Sequence, residues 1–241
     1  MSCPRPILFQ KKPAVQPSSQ RFLKRFTDPL DCLTAHLMLE SAEVLAGIKP
    51  ANLISLVNRP QLCGRNLYQL WQSHHEEIAP RLTGLSIMVL QTKERALLLL
   101  CYNNDLLERH LTHTGIRSLL HKAGYGVDGS NETLLKELCR RIRNNGSFPH
   151  EIGLFIGYPA KDVAAFMGLI KLPFTCQCLW KVYGNPEQSL DLAEQFRFCR
   201  QKMGDILTAG NRSMLRLDSS NHPFFCQQHD NDFHYHATAC S

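Results

Sequence analysis

The sequence predicts an α/β protein, a small mixed sheet of about four strands packed with several helices in a single domain; an α+β segregation of the same elements is the alternative. Two observations carry this. Segments with apolar residues at helical spacing are interspersed with short apolar or alternating runs, and 44% of the 241 residues are hydrophobic, enough to bury a sizeable core.

Residues 1–29 mix Pro4, Pro6, Pro13 and Pro17 with Lys11, Lys12, Arg21, Lys24 and Arg25. With few apolar contacts to offset ordering entropy, they read as a basic, disordered arm. The globular domain follows over residues 30–212. Leu33, Leu37, Ser41 and Val44/Leu45 return at helical period, Gly47 lies beyond that helix as a stop, and Pro50 prevents its resumption. Asn52 to Val57 is a short apolar run that suits a buried strand, and Leu67, Leu70, Trp71 and Ile78 are spaced as in a helix. LSIMVLQT and ALLLLCY flank a polar turn and read as a hairpin.

A helical pair spans Asp105 to Ala123, and Glu132 to Asn144 forms another helix. Leu134/Leu135, Leu138/Cys139 and Ile142 make its apolar face, and Lys136, Arg140, Arg141 and Arg143 are expected in solvent. In PFTCQCLWKVY, alternation predicts one strand with Cys176, Cys178 and Trp180 on the same face. Pro186 opens a long amphipathic helix through Leu192, Phe196, Cys199, Met203 and Leu207, ending near Gly210. Residues 213–241 form a polar tail rich in His and Cys.

The net charge of +6 comes with acidic and basic residues mixed along most of the chain, so a basic pI alone argues little for nucleic acid. The longest apolar runs fall short of the roughly 18 residues needed to cross a bilayer, and the start MSCPRPILFQKK lacks an apolar signal core. A cytoplasmic location is expected. The ten cysteines sit in patterned core segments, which favours reduced thiols. GxGxxG after a strand, the P-loop, GxSxG and HExxH are all absent, so dinucleotide, P-loop, serine-hydrolase and zincin chemistry receive no motif support.

Three segments could carry chemistry. His150-Glu151 precedes a short helix ended by Gly157, after which Pro159 starts a second with Asp162 near its positive end. Such Gly/Pro corners are more often structural. The functional reading sets His150 and Glu151 at a cleft mouth, with His150 as acid or base of an enzyme whose substrate is undefined. A helix-turn-helix DNA regulator over residues 150–167 is another alternative, but AKDVAAFMGL is poor in base-reading side chains and nucleic acid is disfavoured. Cys176 and Cys178 are weak metal candidates, more simply core fillers. In the tail, Cys226, His229, His234, His236 and Cys240 are ligand types for zinc, nickel or copper, but their spacing matches no standard zinc signature.

Three segments, LAGIKPANLISL (Leu45 to Leu56), HEIGLFIGYPAKDV (His150 to Val163) and WKVYGN (Trp180 to Asn185), resemble an uncharacterised bacterial family catalogued as a domain of unknown function. The resemblance covers roughly residues 31–210 and implies a single compact domain. Members are often encoded near flavodoxin or ferrous-iron-uptake functions, which implies an iron- or redox-linked setting. Where relatives commonly have His-Cys, this chain reads Glu40-Ser41, so a family thiol there would be missing unless Cys32 or Cys178 replaces it in space. Carried onto this chain, the resemblance marks Lys49, Asn52, Tyr158, Trp180, Lys181 and Tyr183 as ligand-binding candidates beside His150 and Glu151. The expected function is binding of a small ligand, a metal-containing cofactor or a redox or iron-handling protein partner, with His150 and the WKVY segment converging on one recess.

Overall fold

The computed structural model describes residues 23–61, 63–126, 129–144 and 148–209. The arm up to residue 22, with Arg21, and the tail with Cys226, His229, His234, His236 and Cys240 lie outside the described residues.

Packing begins earlier than the boundary expected at residue 30. Leu23, Phe26 and Leu30 recur near helical spacing and all enter the core, and the Arg25 guanidinium donates to the Thr208 carbonyl near the far end of the described chain. Helix α1 (Pro29–Glu40) starts with proline in its first turn, and the Asp28 carboxylate accepts the Asp31 N–H at 2.8 Å. The single helix expected to Leu45 breaks at Ser41, whose φ of −110° and ψ of 16° leave helical geometry, and resumes as α2 (Ala42–Leu45). Gly47 then takes φ +75° and turns the chain into β1 (Ala51–Val57).

After α3 (Leu67–Ile78), β2 (Ser86–Lys93) and β3 (Ala96–Tyr102) form the expected hairpin. β3 inserts between its neighbours, so the sheet runs β1-β3-β2 with both pairings antiparallel and Asn52 opposite Cys101. This corrects the mixed sheet of about four strands. The helical connection after β1 carries the chain to the sheet's other side, and the hairpin return fills the gap, so no parallel pair forms.

Alternation along β3 divides the interior in two. Leu97, Leu99 and Cys101 face a core shared with α1, α2, α3 and the long last helix α9 (Glu187–Ala209); α9 follows five shorter elements introduced next. Leu98 and Leu100 face the opposite core, built with α4 (Asn104–Thr112), α5 (Thr114–Lys122), α6 (Asn131–Asn144), α7 (Ile152–Phe155) and α8 (Ala160–Phe166). Helices cover both sheet faces, which makes a three-layer α/β arrangement. Among the described residues no helix is long and apolar enough to cross a membrane.

Two local expectations are corrected. PFTCQCLWKVY is a separate hairpin, β4 (Phe174–Gln177) with β5 (Lys181–Tyr183), tightened by a hydrogen bond from the Cys178 N–H to the Trp180 carbonyl. Alternation persists through so short a turn, so period two alone cannot separate one strand from two. On α6, Lys136 and Arg140 are solvated, but Arg141 is not. One turn along from Leu138, its guanidinium lies 4.0 Å from the Tyr125 ring centroid and binds the Ala123 and Gly124 carbonyls, Glu137 and Glu151. Arg143 likewise donates to the Val89 and Leu90 carbonyls of β2.

Candidate functional site

The α7–α8 corner closes on the segment after α2. Gly157 has φ +77°, and a Cβ there would sit 2.5 Å from Pro50 Cδ, so only glycine permits this approach. The corner thereby places Tyr158 over Lys49. The Tyr158 ring stacks on Trp180 at 4.7 Å, and Trp180 in turn lies 6.0 Å from Phe196 of α9.

One carboxylate joins these parts. Asp162, 2% exposed in the first turn of α8, accepts hydrogen bonds at Oδ2 from Trp180 Nε1 (2.8 Å) and Ser189 Oγ (2.6 Å). Its Oδ1 accepts from the Tyr183 N–H at 2.9 Å and from Lys161 Nζ at 2.8 Å. The histidine-led corner, the tryptophan hairpin and the start of α9 are thus locked to one another, and Asp162 is spent on structure.

Lys49 lies beneath the aromatic wall and is 4% exposed. Its Nζ donates to Asn52 Oδ1 at 2.8 Å and sits 5.2 Å from the Tyr158 centroid and 5.0 Å from that of Phe196. Asn52 points to this side because even positions of β1 face α1, where its amide donates to the Glu40 carbonyl. Burial holds the Lys49 pKa down at about 8, against the pull of Glu43 upward and with a further push down from Arg200.

Glu43 is 3% exposed, and its Oε1 accepts from Arg200 Nε at 3.0 Å, while Arg200 Nη1 reaches Glu40 Oε2 at 3.3 Å. Arg200 and Glu40 are partly open to solvent, so they form the outer layer over Glu43 and Lys49. His36, one turn before Glu40, completes the stripe. Burial, assisted by Arg200, lowers its pKa to about 4 and keeps the ring neutral. Glu43 Oε2 and His36 Nδ1 are buried without a hydrogen-bond partner among the described residues. Two stranded polar atoms near one guanidinium are unusual, because buried polar groups are nearly always paired.

Other expected residues lie elsewhere. Lys181 and Tyr183 project from β5 away from Val182, and Lys181 Nζ sits 5.2 Å from the Phe166 ring on the outer face. His150 meets the same ring edge-on at 4.8 Å, so His150 and Lys181 share one surface. Glu151 points the opposite way. Its carboxylate takes Arg141 at 2.9 Å and the Tyr125 hydroxyl at 3.3 Å, which corrects the pairing with His150: adjacent residues at a helical turn diverge. Asp162, Val163 and Ala164 of α8 are buried, so the supposed recognition helix is turned into the core.

Cys176 and Cys178 are half-buried free thiols packed against Trp180 and Val182, and no group of three or more His, Cys, Asp or Glu among the described residues could hold a metal. Beside Ser41 lies Cys101, not Cys32, whose thiol faces the Leu23 carbonyl. Burial pushes the Cys101 pKa to about 12, so it stays protonated at neutral pH.

Sequence reasoning missed His36, Glu43, Phe196 and Arg200. A signal was present: His36, Glu40 and Glu43 recur at i, i+4 and i+7 along helices otherwise buried nearly all round, and such a polar stripe requires a buried counter-charge.

The fold and this cluster define a three-layer α/β domain with an inward lysine, two carboxylates and an arginine beneath an aromatic wall. The chain belongs to the family described as protein of unknown function (DUF3793), matched over residues 37–217, a span that includes every member of the cluster except His36. No curated protein and no solved structure matches it.

Proposed function

We propose that this chain is a cytoplasmic small-molecule-binding protein whose ligand reaches the Lys49–Glu43 cluster past Arg200. The observation that carries the reading is the pairing of a stranded carboxylate oxygen with an under-used donor. Glu43 Oε2 and His36 Nδ1 have no partner, while the three N–H bonds of a charged Lys49 serve one hydrogen bond and two ring faces. A ligand that donates to Glu43 and accepts from Lys49 satisfies both, which describes a small amino or hydroxy acid. The seven free cysteines among the described residues suit a reducing compartment. The reading needs no iron or redox chemistry and does not use His150 as a catalyst.

A thermal-shift panel of glycine, serine, glycolate and lactate tests it, repeated on Lys49→Met and Glu43→Gln. Stabilisation of the wild type by at least one compound, lost in both variants, is the expected result. A flat panel, together with a crystal structure showing only water at Glu43 Oε2 and His36 Nδ1, would overturn it.

A further inference from the structure

The outer face of the α8–hairpin unit is built differently from the rest of the surface. Of the seven large hydrophobic side chains exposed among the described residues, five fall between Phe148 and Leu179: Phe148, Phe166, Leu172, Phe174 and Leu179, with Phe174 57% exposed. Contacts make much of this set continuous. His150 and Lys181 both lie on Phe166, Lys181 and Tyr183 share one side of β5, Phe174 meets Tyr183 edge-on at 6.0 Å, and Leu172 covers Gly184. A contiguous apolar stripe on a surface marks an interaction site more often than chance exposure does.

Its charge is one-sided. From Val163 to Pro186 the chain contains no Asp or Glu, while Lys171 and Lys181 are exposed. Of the two carboxylates that bound this stretch, Asp162 is buried and paired with Lys161, and Glu187, exposed, lies beyond Pro186 at the start of α9. The backbone of the stripe is also pre-organised, because Asp162 holds both the Tyr183 N–H and Trp180, so little backbone ordering remains to oppose association.

We propose that this face docks an acidic protein partner, one presenting an apolar centre ringed by Asp and Glu. Charge complementarity selects it. Aromatic anchors flanked by two lysines match a carboxylate rim, whereas a two-fold pairing with a second copy would bring lysine-bearing faces together. Two lysines neutralise too few phosphates to hold nucleic acid well.

Zero-length carbodiimide cross-linking in a cell extract, followed by mass spectrometry and titration against the purified cross-linked protein, tests the assignment. Cross-links are expected from Lys171 and Lys181 to Asp or Glu of one protein, with affinity falling at least 10-fold in Phe166→Ala and in Lys181→Glu but unchanged in Lys122→Glu. Cross-links spread evenly over the lysines, self-links between copies, or no links would overturn it. So would equal losses in the two face variants of binding to phosphatidylglycerol vesicles or to single-stranded DNA, without any protein partner.

Discussion

Replacing Asp162 with Asn tests whether one buried carboxylate joins the corner, the hairpin and α9. The carboxylate serves donors on both oxygens, so the amide group must face a donor in either orientation. The milder choice puts Nδ2 where Oδ2 was. Ser189 can then rotate to accept, but Trp180 Nε1 is left against another donor. A stranded buried N–H costs about 1–3 kcal/mol, and the Tyr183 bond loses its charge assistance, about 1 kcal/mol more. Lys161 is partly exposed and can turn to water, so it adds little. The total is about 3 kcal/mol. Urea unfolding followed by fluorescence measures it; the chain has two tryptophans, and a Trp71→Phe background leaves Trp180 as the reporter. A loss below about 1 kcal/mol with Trp180 emission unmoved would refute the reasoning.

Three further predictions concern the same region. Lys49 titrates at about 8 when folded and 10.5 when unfolded, so stability rises between those pH values as the unfolded chain alone holds the proton, by roughly 3 kcal/mol. Lys49→Met removes that rise, and parallel pH curves for the two proteins would contradict it. His36 is neutral in the fold down to about pH 4 against 6.5 unfolded, so stability falls as pH drops through that window. His36→Gln flattens this acid limb, and an unchanged acid midpoint would count against a buried neutral ring. In Gly153→Ala the new Cβ would meet Val163 Cγ2 at 2.8 Å, costing about 1–3 kcal/mol that a second change, Val163→Ala, recovers in part. Strictly additive losses in that double-mutant cycle would show the contact is not what excludes a side chain.

Most of the helices and the β2–β3 hairpin were legible because apolar periodicity, Gly47, Gly157 and Pro159 are local signals. Lys49, Asn52, Tyr158 and Trp180 do come together, though their marking rested on resemblance and not on spacing. The rest was hidden for reasons of distance. Arg200 meets Glu43 across 157 positions, and no local pattern announces such a pair. Asp162 looks like any acidic residue in a first helical turn, and nothing nearby in the text shows that Ser189 and Trp180 will converge on it. Arg141 misled because a cation beside an apolar stripe can fold its stem inward and find carbonyls, which a two-colour reading of a helix cannot register.

The hydrogen bond from Arg25 to the Thr208 carbonyl places the first and last described turns side by side. With residues 1–22 and 210–241 left out, a short glycine–serine bridge can join these two turns and new ends can be cut at the exposed Glu94-Arg95 turn. Such a circular permutant would keep all three layers, and the loop joining β2 to β3 would become a place to attach reporters remote from both faces discussed above.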